Sequence, residues 1–264
     1  MTVPKISQSL MKRYVDYLNG NECGLLFEAQ YITKDPEAQT PPSDAMRAGI
    51  YFEYLCTGGL PRNGEIPQPD VSYRGKSNEK LSEPYERATK SAQIFKEIMR
   101  HYGIRIKKVG LSLSNERMTG IIDIHALWDN KDVFIDLKYS GLIDDKWSEM
   151  GWLTESLHTK DNLMIQGVHY KLLANYTLGI EDIPFYYFVF SSQDPNNVKI
   201  IRQEVDESRT ASHLVAVSNI ITKLGYEVNK GFTPYPSMVK CSKCPIAHKC
   251  SSKVNYPLIE EVFY

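Results

Sequence analysis

The spacing of apolar and polar residues changes repeatedly along this chain, and each change marks an element. Over 7–19, Leu10, Tyr14 and Leu18 recur every four residues, one stripe of a helix capped by Ser7 or Ser9 and stopped by Gly20-Asn21. An apolar, aromatic stretch follows at 24–33, then a polar loop ending at Ser43, the cap of a helix over about 44–57. Gly58 to Lys80 lacks apolar periodicity and is rich in turn formers, so a long loop or lid is expected there. A helix over about 80–102 precedes strand-like runs at 104–113, 117–127 and 133–138. The mixed stretch 141–160, with Trp147 and Trp152, gives no assignment. Beyond it come a helix over 161–178 ended by Gly179, an apolar run at 185–191 of the kind buried on both faces, a partner strand at 198–205 and a helix over about 207–224. This order predicts an α/β fold, a central mixed β-sheet flanked by helices.

Period-two alternation is clearest from Gly120 to Lys138, where two β-branched runs flank Asp129-Asn130-Lys131-Asp132, the composition of a hairpin. Residues two apart on a strand share a face, which puts Asp123 with His125 and Asp136 with Lys138. With a two-residue turn at Asn130-Lys131, Asp123 lies opposite Lys138 and His125 opposite Asp136. A slip of one residue would send one set to the other face. Two carboxylates and an ammonium on apolar strands are costly to bury unless paired or bound to metal. Their oxygens suit Mg²⁺ or Mn²⁺, with the Leu137 carbonyl as a further ligand, and Lys138 can orient a water or offset phosphoryl charge. A plain Asp–Lys ion pair on a half-exposed strand explains the same tripeptide.

The 264 residues suffice for one elaborated domain or two, and 42% hydrophobic content is ordinary for a globular chain. A net charge of −1 gives no global attraction to nucleic acid, so such a partner would need a local basic groove. Lys96, Arg100, Arg105, Lys107 and Lys108 form one basic group, and Lys240, Lys243, Lys249 and Lys253 another. No apolar run approaches the roughly 20 residues of a bilayer span, and the first residues carry no signal-peptide pattern, so a cytoplasmic protein is expected.

Five cysteines do not make a disulfide scaffold in a chain of this length. Cys241, Cys244 and Cys250 are close enough in sequence to converge on one metal, with Cys23, Cys56 or His248 as the fourth ligand, in tetrahedral zinc or a 4Fe–4S cluster. Gln166 and Tyr170 share a helix face, able to meet a phosphate or a base, although a core Tyr with Gln at its edge explains them as well. Glu53 lies among Tyr51, Phe52, Tyr54 and Leu55, either inward toward a metal or on a solvated face. His125 and His169 read as structural, or as supports behind the ligands, rather than as ligands themselves.

Taken in order, Gly49-x₃-Glu53, Asp123, Asp136-x-Lys138, Gln166-x₃-Tyr170 and the split Cys set resemble the PD-(D/E)xK nuclease superfamily. Within it the pattern resembles the RecB-like branch with an iron–sulfur cluster, as in the AddB nuclease domain, small CRISPR-adaptation nucleases and phage exonucleases. The resemblance runs from Cys23 to Cys250. It implies one RecB-like nuclease domain over 1–264, with a restriction-endonuclease-like core. Residues 24–103 would be a helical region with a lid at about 58–80, 104–205 the core, and 206–264 a C-terminal helix and Cys segment. It further implies that Glu53, Asp123, Asp136 and Leu137 hold Mg²⁺ or Mn²⁺, that Lys138 serves catalysis beside Asp123, Asp136 and Glu53, and that Gln166 and Tyr170 contact the strand. Cys23, Cys241, Cys244 and Cys250 would hold a structural 4Fe–4S cluster joining the terminal segments. Relatives often carry His at the position of Glu53 and Pro at that of Gly24, which keeps Cys56 a rival for the fourth ligand.

The implied activity is a metal-dependent deoxyribonuclease, an exonuclease in the first instance, acting on single strands or duplex ends. Implied partners are DNA and a recombination, repair or CRISPR-adaptation protein, with no membrane and the oligomeric state open. The alternative is a non-catalytic nucleic-acid or partner-binding module on a nuclease scaffold. A zinc-stabilised protein of another class, with a coincidental D-x-K, is the remaining reading.

Overall fold

Asp129 and Asn130 both take positive φ, 51° and 60°. A two-residue type I′ turn requires that pair of left-handed conformations, which Asp and Asn tolerate better than most side chains. The turn joins β4 (Thr119–Trp128) to β5 (Lys131–Ser140), pairing Trp128 with Lys131 and Ile124 with Ile135. One further step of this ladder brings Asp123 level with Asp136. The expected turn at Asn130-Lys131 is therefore displaced, because Lys is a poorer left-handed residue than Asp. The displacement shifts the pairing by two residues, so each side chain stays on its expected face.

The computed structural model describes residues 2–61, 64–73, 79–141, 143 and 161–253. Trp147, Trp152 and parts of the expected 58–80 lid lie outside the described residues. The chain divides into two compact units, one of 42–115 and 119–210, the other of 1–41, 116–118 and 211–264.

The first of these carries a five-stranded sheet in the order β3 (Arg105–Ser114), β4, β5, β6 (Phe185–Ser191), β7 (Val198–Gln203). All neighbours are antiparallel except β5 and β6, which are parallel. A parallel pair needs a crossover, and α5 (Asp161–Leu178) lies between them in sequence. A small hairpin, β1 (Val71–Tyr73) with β2 (Glu79–Leu81), occupies part of the stretch expected as a loop and delays α4 to Glu83–His101. α3 spans Asp44–Thr57 behind Ser43, whose hydroxyl accepts the Met46 N–H at 3.3 Å.

Phe52 of α3 and Phe95 of α4 pack with Ile124, Ile135, Phe188 and Phe190 into the core on one sheet face. Cys56 belongs to this core, and burial pushes its thiol well up. α5 approaches the sheet at two glycines. A Cβ on Gly120 would stand 2.4 Å from Tyr170 Cε1, and one on Gly167 1.9 Å from Gln203 Oε1.

In the other unit, α1 (Gln8–Leu18), α2 (Gly24–Phe27) and α6 (Glu207–Lys230) gather Tyr14, Tyr17, Phe27 and Phe232, with ring centroids 5.5–5.9 Å apart. α6 runs past the expected end at 224, and the added turns carry Glu227. Its carboxylate accepts the Tyr14 and Tyr17 hydroxyls at 2.8 and 3.1 Å. Gly24 donates to the Thr233 carbonyl at 3.2 Å, and a Cβ there would sit 2.2 Å from that oxygen. That contact explains glycine after Cys23.

Candidate site on the β4–β5 hairpin

Asp123, Asp136 and Lys138 come from adjacent strands, and Gln166 reaches them from α5. Asp136 is 1% exposed. The Lys138 ammonium ion-pairs with one of its carboxylate oxygens and the Gln166 amide donates to the other. Asp123 accepts the Leu137 backbone N–H through Oδ2 at 2.9 Å. Burial, then the neighbouring Asp136 and Glu53, push the Asp123 carboxyl well above the usual carboxylate range. Burial also raises Asp136 against the opposing pull of Lys138 and Gln166. Burial would lower Lys138, but Asp136, Asp123 and Glu53 outweigh it and hold the ammonium above the ordinary lysine value.

Glu53 is exposed on α3 and acts on the group through its charge. Tyr170 is buried on α5, its ring against Gly120 and 5.9 Å from Phe185. His125 does not pair directly with Asp136 as expected. The register sets it opposite Phe134, and its Nε2 lies 2.5 Å from Asp132 Oδ1, an oxygen that also accepts Lys107 at 2.7 Å. The sequence pattern hides this trio because Asp132 reads as a turn residue. Its shared strand face with Asp136 is the available signal. His169 is fully buried, with Nε2 3.0 Å from the Thr119 carbonyl oxygen, and burial lowers its pKa to about 4.

The expected metal chemistry requires correction. Among the described residues, no group of three or more His, Cys, Asp or Glu is disposed to hold a metal ion. The hairpin donors do not fit Mg²⁺ or Mn²⁺ as they stand. Asp136 is taken by Lys138 and Gln166, and Asp123 by a backbone N–H.

The iron–sulfur or zinc cluster joining the terminal segments is likewise not found among the described residues, and the fold-class expectation stands only as a mixed sheet flanked by helices. Cys23, Cys241, Cys244 and Cys250 line one cavity of about 380 Å³ as free thiols. Burial, and behind it the negative charge of neighbouring sulfurs, pushes the Cys244 thiol up. Protein contacts join the segments instead. Lys240 Nζ donates to the Gly20 carbonyl at 2.7 Å, and Lys249 meets Asp35 and Glu37 at 2.6 Å each. These pairings occupy much of the second basic group. Among the described residues, no helix is long and apolar enough to cross a membrane.

Comparison with solved structures bears on this geometry. A protein named "Putative exonuclease" from Eubacterium rectale superposes with a TM-score of 0.62 at 17% identity, covering 98% of this chain and 91% of its own. The two chains therefore share a fold. The structure of SSO0001 reaches a TM-score of 0.29 at 12% identity over 62% of this chain and 68% of its own, too low to add to the argument. No family model and no curated protein matches the chain.

Proposed function

We propose that this chain is a nucleic-acid-binding module on an exonuclease-like scaffold. The carrying observation is the closed hairpin site. Lys138 and Gln166 both rest on Asp136, and Asp123 holds a backbone N–H, so the groups that would meet a reacting phosphate are engaged within the protein. Exposed cations of α4 and β3, with Lys96, Arg100 and Lys108 among them, supply the local positive surface that a chain of net charge −1 needs for a polyanion. The RecB-like order of motifs supports nucleic acid as the ligand.

The side-by-side Asp123, Asp136 and Lys138 favour a second reading, phosphodiester hydrolysis, in which Gln166 and Tyr170 contact the strand. The test is the full chain with end-labelled single- and double-stranded DNA, with and without divalent cation, for wild type and Lys138→Ala. Binding without cleavage by either protein is the expected result. Wild-type cleavage that disappears in Lys138→Ala would establish the second reading, and failure of wild type to bind would overturn the first.

A further inference from the structure

The sheet face that packs on α3 and α4 does not end in aliphatic residues at the hairpin turn. It ends in a row of rings. Tyr102, the C-cap of α4, lies 5.5 Å from Trp128, and Trp128 lies 4.8 Å from Tyr186 (centroid distances), with His101 edge-on to Tyr102 at 4.9 Å. Trp128 and Tyr186 lean on the core and are partly buried, whereas Tyr102 is 46% exposed. The ladder adds charge to this face. Lys131 pairs with Trp128 and Arg202 with Tyr186, and directly paired residues share a face. The last turn of α4 contributes Arg100 and His101. Glu204 answers Arg202 at 2.8 Å, while Arg100 and Lys131 make no ion pair among the described residues.

We infer that Tyr102 and Trp128, with Lys131 paired to Trp128 and Arg100 carried on the last turn of α4, form a stacking platform for single-stranded nucleic acid. This rests on the nucleic-acid-binding reading and locates it away from the carboxylate site. Lys131 and Lys138 are seven residues apart on one strand, roughly 23 Å at about 3.3 Å per residue. Cations beside rings suit a polymer that offers phosphates and planar bases together. Stacking tolerates any sequence because every base has a π-face, and a duplex keeps those faces covered. The platform therefore favours single strands through ring exposure and holds them through charge.

The experiment is a fluorescence-anisotropy titration of the full chain with a short labelled oligothymidylate at several salt concentrations. Wild type is compared with Tyr102→Ala, Tyr102→Phe and Arg100→Gln/Lys131→Gln, each checked by thermal melting. Tyr102→Ala is expected to weaken binding about tenfold or more with an unchanged salt slope, and Tyr102→Phe to retain it. Arg100→Gln/Lys131→Gln is expected to weaken binding and flatten the slope. Wild-type affinity in both Tyr102→Ala and Arg100→Gln/Lys131→Gln overturns the platform while leaving the module reading intact. Absence of wild-type binding overturns both. Loss of binding to anionic vesicles in these variants, with oligonucleotide binding unchanged, also overturns the platform.

Discussion

Replacing Lys138 by Met tests the charge arrangement on which the hairpin site rests. The apolar stem is kept and the ammonium removed, so Asp136 loses its cation and retains only the Gln166 amide. Breaking a buried pair by deleting one partner costs about 3–5 kcal/mol. The Lys138 side chain is 26% exposed, which argues for the lower end, about 3 kcal/mol. For a chain of this size each kcal/mol moves the melting temperature by roughly 2–4 °C, so a fall of about 6–12 °C is expected at pH 7.

The loss must also depend on pH. Asp123 and Asp136 are raised above the usual carboxylate range, so acid neutralises them in the folded state before it neutralises the unfolded chain. A raised carboxyl contributes stability that is present in acid and lost as pH rises through its folded pKa. Once both carboxyls are protonated, the missing ammonium matters little. Thermal melts of Lys138→Met and wild type should therefore converge toward pH 4 and diverge toward pH 7. A gap of equal size at both values would refute the ion-pair account, and so would no gap at pH 7.

Two further outcomes follow from buried contacts. His169 is lowered from 6.5 to about 4, so the unfolded chain binds a proton between those values that the folded chain refuses, and stability should fall as pH drops from 6.5 to 4. The shift corresponds to about 3 kcal/mol, and His169→Gln, which can still donate to the Thr119 carbonyl, should flatten that part of a stability–pH curve from urea melts. Gly24→Ala sets a Cβ 2.2 Å from the Thr233 carbonyl oxygen, a backbone atom that cannot swing aside, and should lower stability by about 1–3 kcal/mol in the same assay.

Face assignments along the hairpin are readable from period-two alternation alone, and the pairing register is not. Asp123, His125, Asp136 and Lys138 share the face expected of them, because a displacement by two residues preserves parity. The turn itself is also readable in principle, since Asp129-Asn130 suits two left-handed positions better than Asn130-Lys131. The Gln166–Asp136 contact is not foreseeable, because it depends on how closely α5 approaches the sheet. Gly167 permits that approach, and a lone glycine within a helical pattern says nothing of what lies across from it. The cysteine spacing groups Cys241, Cys244 and Cys250 but leaves Cys23, Cys56 and His248 open as a fourth partner, and it is the fold that sets Cys23 on the same cavity.

The bonds from Tyr14 and Tyr17 to Glu227 span 213 and 210 residues of chain. Residues 42–210 can therefore complete their sheet while α1 still lacks its acceptor, because Glu227 leaves the ribosome long after both tyrosines. The early helix must wait through that interval with its aromatic stripe uncovered. Contacts of such long sequence separation form slowly, which makes docking of the late segment onto α1 the natural last step of folding and the stage most open to chaperone capture.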